Sequence, residues 1–201
     1  MNCIPDSAGF ESHATLTFHQ LPQLPRIVGV SGYARSGKST VADFLIAEHN
    51  YKRFKFADVL KDMLRAVGLT EAQIEGDEKE SPVYALCGKT PRFAMQTIGT
   101  EWGRKIMGDD LWVNLWQQRV QHWMDLHPMN RVVVDDVRFP NELQRVLDLG
   151  GTVLRIDRPG VQPTNSHSSE TAIDDAPGMV RLVNGGSVSD LKIKTVATLR
   201  K

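Results

Sequence analysis

The stretch Arg26-Ile-Val-Gly-Val-Ser31 is followed directly by Gly32-Tyr-Ala-Arg-Ser-Gly37-Lys38-Ser39 and then by Thr40-Val-Ala-Asp-Phe-Leu-Ile-Ala-Glu-His49. The first segment is short, apolar and β-branched, which indicates a buried strand. The second fits the pattern of a glycine, four residues and Gly-Lys-Ser/Thr. The third carries apolar residues at helical spacing. A strand, a glycine-rich loop and a helix in this order predict a phosphate-binding P-loop.

The chemistry of this loop follows from its residue types. Glycines allow backbone conformations that a side chain would forbid, so that successive N–H groups turn inward beside the helix N-terminus, where an anion is favoured. Lys38 would reach the β- and γ-phosphates of a nucleoside triphosphate, and the Ser39 hydroxyl would coordinate Mg²⁺. The alternative is a glycine-rich turn with an exposed lysine. The predicted ATP-binding residues are Gly32, Ala34, Arg35, Ser36, Gly37, Lys38, Ser39 and Thr40.

Composition narrows the class of protein. A chain of 201 residues with 41% hydrophobic content suits one domain with a real core. The 24 basic and 24 acidic residues balance, which argues against binding to a nucleic acid polymer. Cys3 and Cys87 form neither a metal pattern nor a disulfide framework. No apolar stretch approaches a membrane span and no signal-peptide pattern opens the chain, so we expect a cytoplasmic protein without a membrane partner.

The pattern along the chain predicts an α/β fold. Residues 1–25 lack periodicity and indicate a flexible lead-in, and residues 26–201 then alternate between strands and helices. Alternation of this kind favours a parallel sheet with helices on both faces, in three layers. The predicted strands after the first are 51–56, 131–134, 152–156 and 179–183, and the predicted helices after the first are 57–67, 92–107, 110–126, 140–149 and 188–199. An acidic segment with glycines and prolines, 68–91, is predicted to be a mobile insertion.

Acids and arginines follow the predicted strands. In an open parallel sheet the site lies at the carboxyl ends of the strands, so these residues converge on one edge. Phosphoryl transfer needs arginines to neutralise phosphate oxygens and an acid to support Mg²⁺. Asp135 or Asp136 would be that acid, unless it caps a turn; Arg138 would serve phosphate, unless it pairs with Glu142. The strand-end residues are Asp58, Lys61, Asp62, Asp135, Asp136, Arg138, Asp157 and Arg158.

Three further features leave alternatives open. On a helical wheel of 92–107, an apolar face of Met95, Ile98, Trp102 and Ile106 opposes a face that includes Gly99 and Gly103. The two glycines suggest close packing against a nucleotide or against another helix. The tryptophans favour core or interface anchors over base stacking, and an exposed Trp112 or Trp116 would support a homodimer. His167 lies in a polar loop that either approaches substrate or is solvated.

Several segments together resemble the bacteriophage deoxynucleoside monophosphate kinases, within the nucleoside monophosphate kinase group. The resemblance spans roughly residues 26–199. The segments that carry it, in chain order, are Ser31-Gly-Tyr-Ala-Arg-Ser-Gly-Lys-Ser39, Phe56-Ala-Asp-Val-Leu-Lys61, Arg92-Phe-Ala-Met-Gln-Thr-Ile-Gly-Thr100, Asp136-Val-Arg-Phe-Pro-Asn-Glu142, Arg158-Pro-Gly160, His167-Ser-Ser-Glu170 and Asn184-Gly-Gly-Ser187.

The resemblance implies a P-loop kinase fold and transfer of the ATP γ-phosphate to a deoxynucleoside monophosphate, for nucleotide supply to DNA synthesis. It implies an acceptor-binding insertion over about 57–126, a location in the host cytoplasm if the protein is phage-encoded, and Asp136 rather than Asp135 beside Ser39 at Mg²⁺. Lys38, Arg92 and Arg138 would be catalytic. Asn184 and Gly185 would contact adenine, unless they form a plain turn. The implied acceptor-binding residues are Asp58, Lys61, Arg92, Gln96, Arg138, Arg158, His167 and Glu170.

Two rival functions remain at this point. One is a P-loop kinase for another acceptor, such as dephospho-coenzyme A, since the Asn184 segment resembles both groups. The other is a non-catalytic nucleotide-binding switch that docks a partner. The Arg92–Thr100 and Asp136–Glu142 segments favour the nucleotide acceptor, and an intact Lys38 and Ser39 favour an enzyme.

Overall fold

The computed structural model describes residues 23–162 and 172–200, and within them the chain forms a sheet of five parallel strands. The order across the sheet is β2-β3-β1-β4-β5, so that β1 lies in the middle. The flexible lead-in predicted over residues 1–25 falls outside the described residues except for 23–25. The strands are β1 (Ile27–Ser31), β2 (Tyr51–Arg53), β3 (Arg131–Val134), β4 (Thr152–Asp157) and β5 (Met179–Val183).

Helices connect these strands. A stretch of π-helix, Thr97–Met107, continues directly from the fourth helix, and two short 3₁₀ turns, Asp77–Glu80 and Tyr84–Leu86, precede that helix. The helices are α1 (Lys38–His49), α2 (Asp58–Ala66), α3 (Glu71–Ile74), α4 (Pro91–Gln96), α5 (Leu111–Leu126), α6 (Pro140–Asp148) and α7 (Val188–Leu199).

Both faces of the sheet are covered. Successive side chains of a strand point to opposite faces, so Val133 packs in the cluster with α1 and α7, whereas Val132 and Val134 pack in the cluster with α5 and α6. Strands buried on both faces explain the continuous β-branched runs in the sequence. The three-layer α/β fold with a parallel sheet is confirmed.

The chain between β2 and β3 builds a smaller apolar cluster of its own. Its buried members are Leu60, Leu64, Leu69, Ile74 and Trp112, which come from α2, α3 and α5 and the turns beside them. This α2–α5 segment covers most of the insertion predicted over about 57–126.

Local predictions differ from the structure in the second strand and in the segment after α2. The strand predicted over 51–56 ends at Arg53, because the N–H groups of Phe56 and Ala57 bond to Asp136 instead of a neighbouring strand. Segment 68–91, predicted as a mobile insertion, contains α3 with a capping box at Thr70 and both 3₁₀ turns; its motion stays a prediction.

The helical wheel of 92–107 was wrong beyond its first turns. Met95 and Ile98 pack against the α2–α5 cluster, but Trp102 and Ile106 are exposed, because hydrogen bonds from residue i+5 to i widen the turn and rotate the later residues away. The expectation of an exposed Trp112 or Trp116 was also wrong. Both rings are buried, at 3% and 1% exposure, so neither can anchor a homodimer.

Candidate active site

The P-loop connects β1 to α1 through a backbone that glycine makes possible. Gly32 and Gly37 have φ angles of 144° and 111°, in the region that side chains rarely adopt. A Cβ at Gly32 would lie 2.6 Å from the Ile156 carbonyl, and one at Gly37 would lie 2.7 Å from the Asn184 amide nitrogen. Both positions therefore require glycine for conformation and for space.

The loop ends at an uncapped helix N-terminus. No side chain caps α1, and its first turn carries no acidic residue, so its N-terminal N–H groups and dipole favour an anion. The Lys38 ammonium donates hydrogen bonds to the carbonyls of Gly32 at 2.7 Å and Tyr33 at 2.8 Å. Lys38 thus spans the mouth of the loop and places a positive charge beside the N–H groups.

A cavity of about 1010 Å³ opens in front of the loop. One side is formed by the P-loop, including Lys38 and Ser39, and the other by α2–α4 and the π-helix. The carboxyl end of β3 and the start of α6 close the back. Its charged lining residues are Arg35, Lys38, Lys55, Lys61, Glu75, Lys79, Arg92, Arg104, Asp135, Asp136, Arg138 and Glu142.

The two acids after β3 have different surroundings. Both oxygens of Asp136 accept backbone N–H groups, from Phe56 at 3.0 Å and Ala57 at 3.1 Å. Burial raises the pKa of the Asp136 carboxyl. Asp135 lies 3.4 Å from Arg53 and 3.9 Å from Lys55, and its Oδ1 is buried without a hydrogen-bond partner among the described residues. Asp136 therefore holds the chain after β2 in place, whereas the buried Asp135 Oδ1 accepts no hydrogen bond from the described residues and has Lys55 as its ion-pair partner.

The sequence patterns did not predict an ion pair that lies at the back of the cavity. Arg104, from the π-helix, donates to Glu142 Oε1 at 2.6 Å and lies over the Phe139 ring at 3.8 Å. Glu142 Oε2 accepts the backbone N–H groups of Arg138 and Phe139. Burial, reinforced by Asp136, raises the pKa of Glu142 to about 7. Because Arg104 and Glu142 are 38 positions apart, no local pattern could indicate the pair.

This pair also decides an alternative left open for Arg138. Glu142 accepts the Arg138 backbone N–H and pairs with Arg104, so the alternative Arg138–Glu142 salt bridge does not form. The Arg138 side chain lines the cavity and is exposed. It makes no hydrogen bond or ion pair with any residue that the structure describes. Among residues 23–162 and 172–200, therefore, no partner holds its guanidinium away from a ligand in the cavity.

Three of the eight residues predicted to bind the acceptor, namely Lys61, Arg92 and Gln96, line the cavity on the side away from the P-loop. Lys61 pairs with Glu75 at 2.5 Å, and Arg92 pairs with Glu80 on the surface. Gln96 lies on the same wall. Lys79 joins them although the sequence analysis did not single it out, and burial lowers the pKa of its ammonium. Cationic and polar groups thus face the P-loop across the cavity.

The two glycines of the 92–107 segment have different neighbours. A Cβ at Gly103 would lie 2.5 Å from the Trp112 ring, so this position packs against the next helix. The Gly99 carbonyl accepts a 2.8 Å hydrogen bond from Trp112 Nε1, and Gly99 lines the cavity. The close packing thus comes from a neighbouring helix at Gly103, whereas Gly99 is open to a ligand.

Four further predicted residues that the structure describes do not line the cavity. The Asp58 carboxylate accepts the Lys55 N–H and closes a turn. Arg158 donates to the Arg35 carbonyl, and Asn184 donates to the Ser36 carbonyl at 2.8 Å, so both brace the back of the P-loop. Gly185 packs near Pro159. His167 and Glu170 lie outside the described residues.

The oxygen atoms at this site are better suited to Mg²⁺ bound together with a nucleotide than to a metal held by protein side chains alone. Among residues 23–162 and 172–200, no group of three or more His, Cys, Asp or Glu side chains could hold a metal. Mg²⁺ is commonly held by one or two protein oxygens together with substrate phosphates. Ser39 and Asp135 line the cavity with oxygens of this kind. In the same described ranges, no helix is long and apolar enough to cross a bilayer.

Comparisons with known proteins place this chain in one family. The family model for deoxynucleotide monophosphate kinase matches residues 90–195. A protein of Acanthamoeba polyphaga mimivirus, whose name assigns that activity provisionally, is 32% identical over 82% of this chain and 91% of its own length. The deoxynucleotide monophosphate kinase of Enterobacteria phage T4 is 23% identical over 87% of this chain and 99% of its own length.

One solved structure concerns a rival acceptor. The dephospho-CoA kinase from Campylobacter jejuni is 13% identical, with a TM-score of 0.43, over 87% of this chain and 96% of that chain. A likeness at this level carries no argument about the acceptor.

Proposed function

Because the chain belongs to the deoxynucleotide monophosphate kinase family, we propose that ATP binds against its P-loop and that a deoxynucleoside monophosphate binds against the α2–α5 segment of the same cavity. The observation that carries this proposal is the cavity itself. An uncapped helix N-terminus and Lys38 lie on one side, and a wall with Lys61, Lys79 and Arg92 lies on the other. Each side offers positive charge to a phosphate group.

The reaction needs alignment and charge neutralisation more than a base. The acceptor phosphate is already a nucleophile at neutral pH, so no residue has to remove a proton. Lys38 and the loop N–H groups would hold the β- and γ-phosphates. Arg138 would stabilise the charge on the phosphoryl group as it passes, because its guanidinium is exposed and lines the cavity.

Asp135 and Ser39 would hold Mg²⁺, which neutralises phosphate charge when bound. The family resemblance in the sequence implied Asp136 for this role. The contacts favour Asp135, since both Asp136 oxygens already accept backbone N–H groups, while Asp135 Oδ1 accepts no hydrogen bond from the described residues and has only a longer ion pair with Lys55, at 3.9 Å. Asp136 would act indirectly, by holding the start of α2 beside the cavity.

The acceptor would be oriented by the wall opposite the P-loop. Arg92 now pairs with Glu80 on the surface and would exchange that partner for the acceptor phosphate. Gln96 and the Lys61–Glu75 pair present hydrogen-bonding groups to a sugar or base. Closure of segment 68–91 over the cavity would exclude water and limit wasteful ATP hydrolysis.

A coupled ADP-release assay tests the proposal. ATP and Mg²⁺ are supplied with each of the four common deoxynucleoside monophosphates, with AMP and dephospho-coenzyme A as comparators, and the product is identified by anion-exchange chromatography. We expect turnover to a deoxynucleoside diphosphate. Turnover with dephospho-coenzyme A alone would establish the rival kinase, and ATP binding without any turnover would establish the non-catalytic switch.

Lys38→Ala supplies the matched variant for this assay. It should abolish turnover and leave the melting temperature near that of the native chain. Lys192→Ala is its control, because Lys192 pairs with Glu48 of α1 on the outer surface, at 2.7 Å and away from the cavity. Retained activity in Lys38→Ala would overturn the role of the P-loop.

A further inference from the structure

Arg155 is a buried cation next to the P-loop, and none of the functions above uses it. Its side chain is 3% exposed on β4. Its guanidinium lies 2.6 Å from Asp174 Oδ1 and 3.3 Å from Asp157 Oδ1, and it donates to Ser31 Oγ at 3.4 Å. A buried charge is costly unless it is paired. Arg181 completes the set from the exposed side, so two cations balance two carboxylates.

This cluster reaches the loop through Tyr33. The Tyr33 hydroxyl donates to Asp174 Oδ2, and the guanidinium carbon of Arg155 lies 4.6 Å from the centre of the Tyr33 ring. The hydrogen bond to Asp174 raises the pKa of the Tyr33 hydroxyl, so this group remains a donor at neutral pH. One arginine therefore fixes both the carboxylate and the ring.

Tyr33 also takes part in the geometry of the loop. It lines the cavity, and its carbonyl accepts the Ser36 N–H at 3.1 Å and the Lys38 ammonium at 2.8 Å. On the other side of the contact, Ile173 precedes Asp174, is 1% exposed and lines the same cavity. The Tyr33–Asp174 hydrogen bond thus joins the tip of the P-loop to a separate wall of the cavity.

We propose that Arg155 is a positioning residue which, through Asp174 and Tyr33, fixes the tip of the P-loop and thereby sets its affinity for the polyphosphate of ATP. The proposal rests on ATP binding at the P-loop, as proposed above. We call the contacts that join Arg155, Asp174 and Tyr33 the clamp. Loss of the clamp would leave the loop able to bind ATP, but the loop would no longer be held in the conformation that directs Lys38 and the N–H groups at the polyphosphate. The acceptor wall, built from α2–α5, would be unaffected.

Calorimetric titration with the β,γ-imido analogue of ATP tests the clamp without requiring turnover. Tyr33→Phe keeps the ring and removes only the hydroxyl. We expect it to weaken binding of the analogue by roughly tenfold, the usual scale for a lost hydrogen bond to a charged group. Asp174→Asn should weaken it similarly, and the double variant should bind no worse than either single variant, because both break the same contact.

Arg181→Met is the matched control. Arg181 bonds to Asp157 and to the Asp174 carbonyl from the exposed side but does not contact Tyr33, so its loss should leave affinity for the analogue unchanged. In steady state, Tyr33→Phe should raise the KM for ATP and leave the KM for the acceptor unchanged. Arg155→Lys, which keeps the charge, should bind the analogue better than Arg155→Met.

Three results would overturn the proposal: unchanged affinity in Tyr33→Phe, additive effects in the double variant, or equal weakening in Arg181→Met. Failure of the proposed function is a separate result. In that case the native chain would bind the analogue but not phosphorylate any deoxynucleoside monophosphate, and the titrations above would still decide on the clamp.

Discussion

At the scale of single residues, neighbouring side chains with the same chemistry have different contacts and therefore different roles. Asp135 and Asp136 are adjacent carboxylates after one strand, and sequence reasoning could not separate them by residue type. The structure separates them by their partners, which lie about eighty positions away for Asp136. Similarly, Glu142 pairs with Arg104 and not with Arg138, whose side chain lines the cavity.

The two acids give a direct prediction. Asp135→Asn should raise the Mg²⁺ concentration needed for half-maximal activity by about 10–100-fold, the usual range for loss of a group that supports a metal. Asp136→Asn should affect Mg²⁺ dependence less and stability more, because it disturbs two buried backbone hydrogen bonds. Activity against Mg²⁺ concentration and thermal melts measure both. The opposite order would return the magnesium role to Asp136.

Arg138 gives a second prediction. Arg138→Ala should lower kcat by about 10³-fold, since an arginine that stabilises transferring phosphate contributes at least that much. Steady-state kinetics measures it, with Arg119→Ala as the control because Arg119 pairs with Asp62 on the surface. A kcat equal to that of the control variant would show that Arg138 does not touch the transferring group.

At the scale of elements, the π-helix Thr97–Met107 shapes the acceptor side. Its wide turn brings Gly99, Thr100 and Arg104 to the cavity, and Trp112 of α5 packs against Gly103. The Gly99 carbonyl is fixed by Trp112 Nε1. The indole of Trp112 therefore lines the cavity and, through this hydrogen bond, also supports the acceptor wall.

Trp112→Phe should accordingly raise the KM for the acceptor several-fold and cost about 1 kcal/mol or more of stability, because it removes a buried hydrogen bond and leaves a gap. The KM for ATP should be unchanged. Trp123→Phe is the matched control, since Trp123 Nε1 has no hydrogen-bond partner among the described residues. Equal changes in both KM values would mean that Trp112 supports the whole fold rather than the acceptor wall.

Sequence patterns predicted the elements that depend on local order. The β-branched runs predicted four of the five strands closely, and the glycine spacing located the P-loop, because strand burial and loop conformation are set by nearby residues. The end of β2, the exposure of Trp102 and the Arg104–Glu142 pair were not predictable. Each depends on partners far along the chain, or on hydrogen bonding that no periodicity encodes.

At the scale of the whole molecule, the sheet and the α2–α5 segment meet at one cavity. The P-loop and the strand ends belong to the sheet, whereas Lys61, Arg92 and Gln96 belong to the segment inserted between β2 and β3. Two nucleotides bound to the two parts would meet with their phosphates between Lys38 and Arg138. The central claim is that both substrates share this cavity, phosphate to phosphate.

The most direct test is calorimetric titration with a bisubstrate compound in which adenosine and a deoxynucleoside are joined through a polyphosphate chain. When one half of the compound is bound, the other half is held at a high effective concentration beside its own part of the cavity. We therefore expect one molecule to bind per chain, with an affinity about 100-fold or more higher than that of ATP. Lys38→Ala and Arg138→Ala should each weaken it. Binding no tighter than that of ATP, or two molecules bound per chain, would contradict a shared cavity.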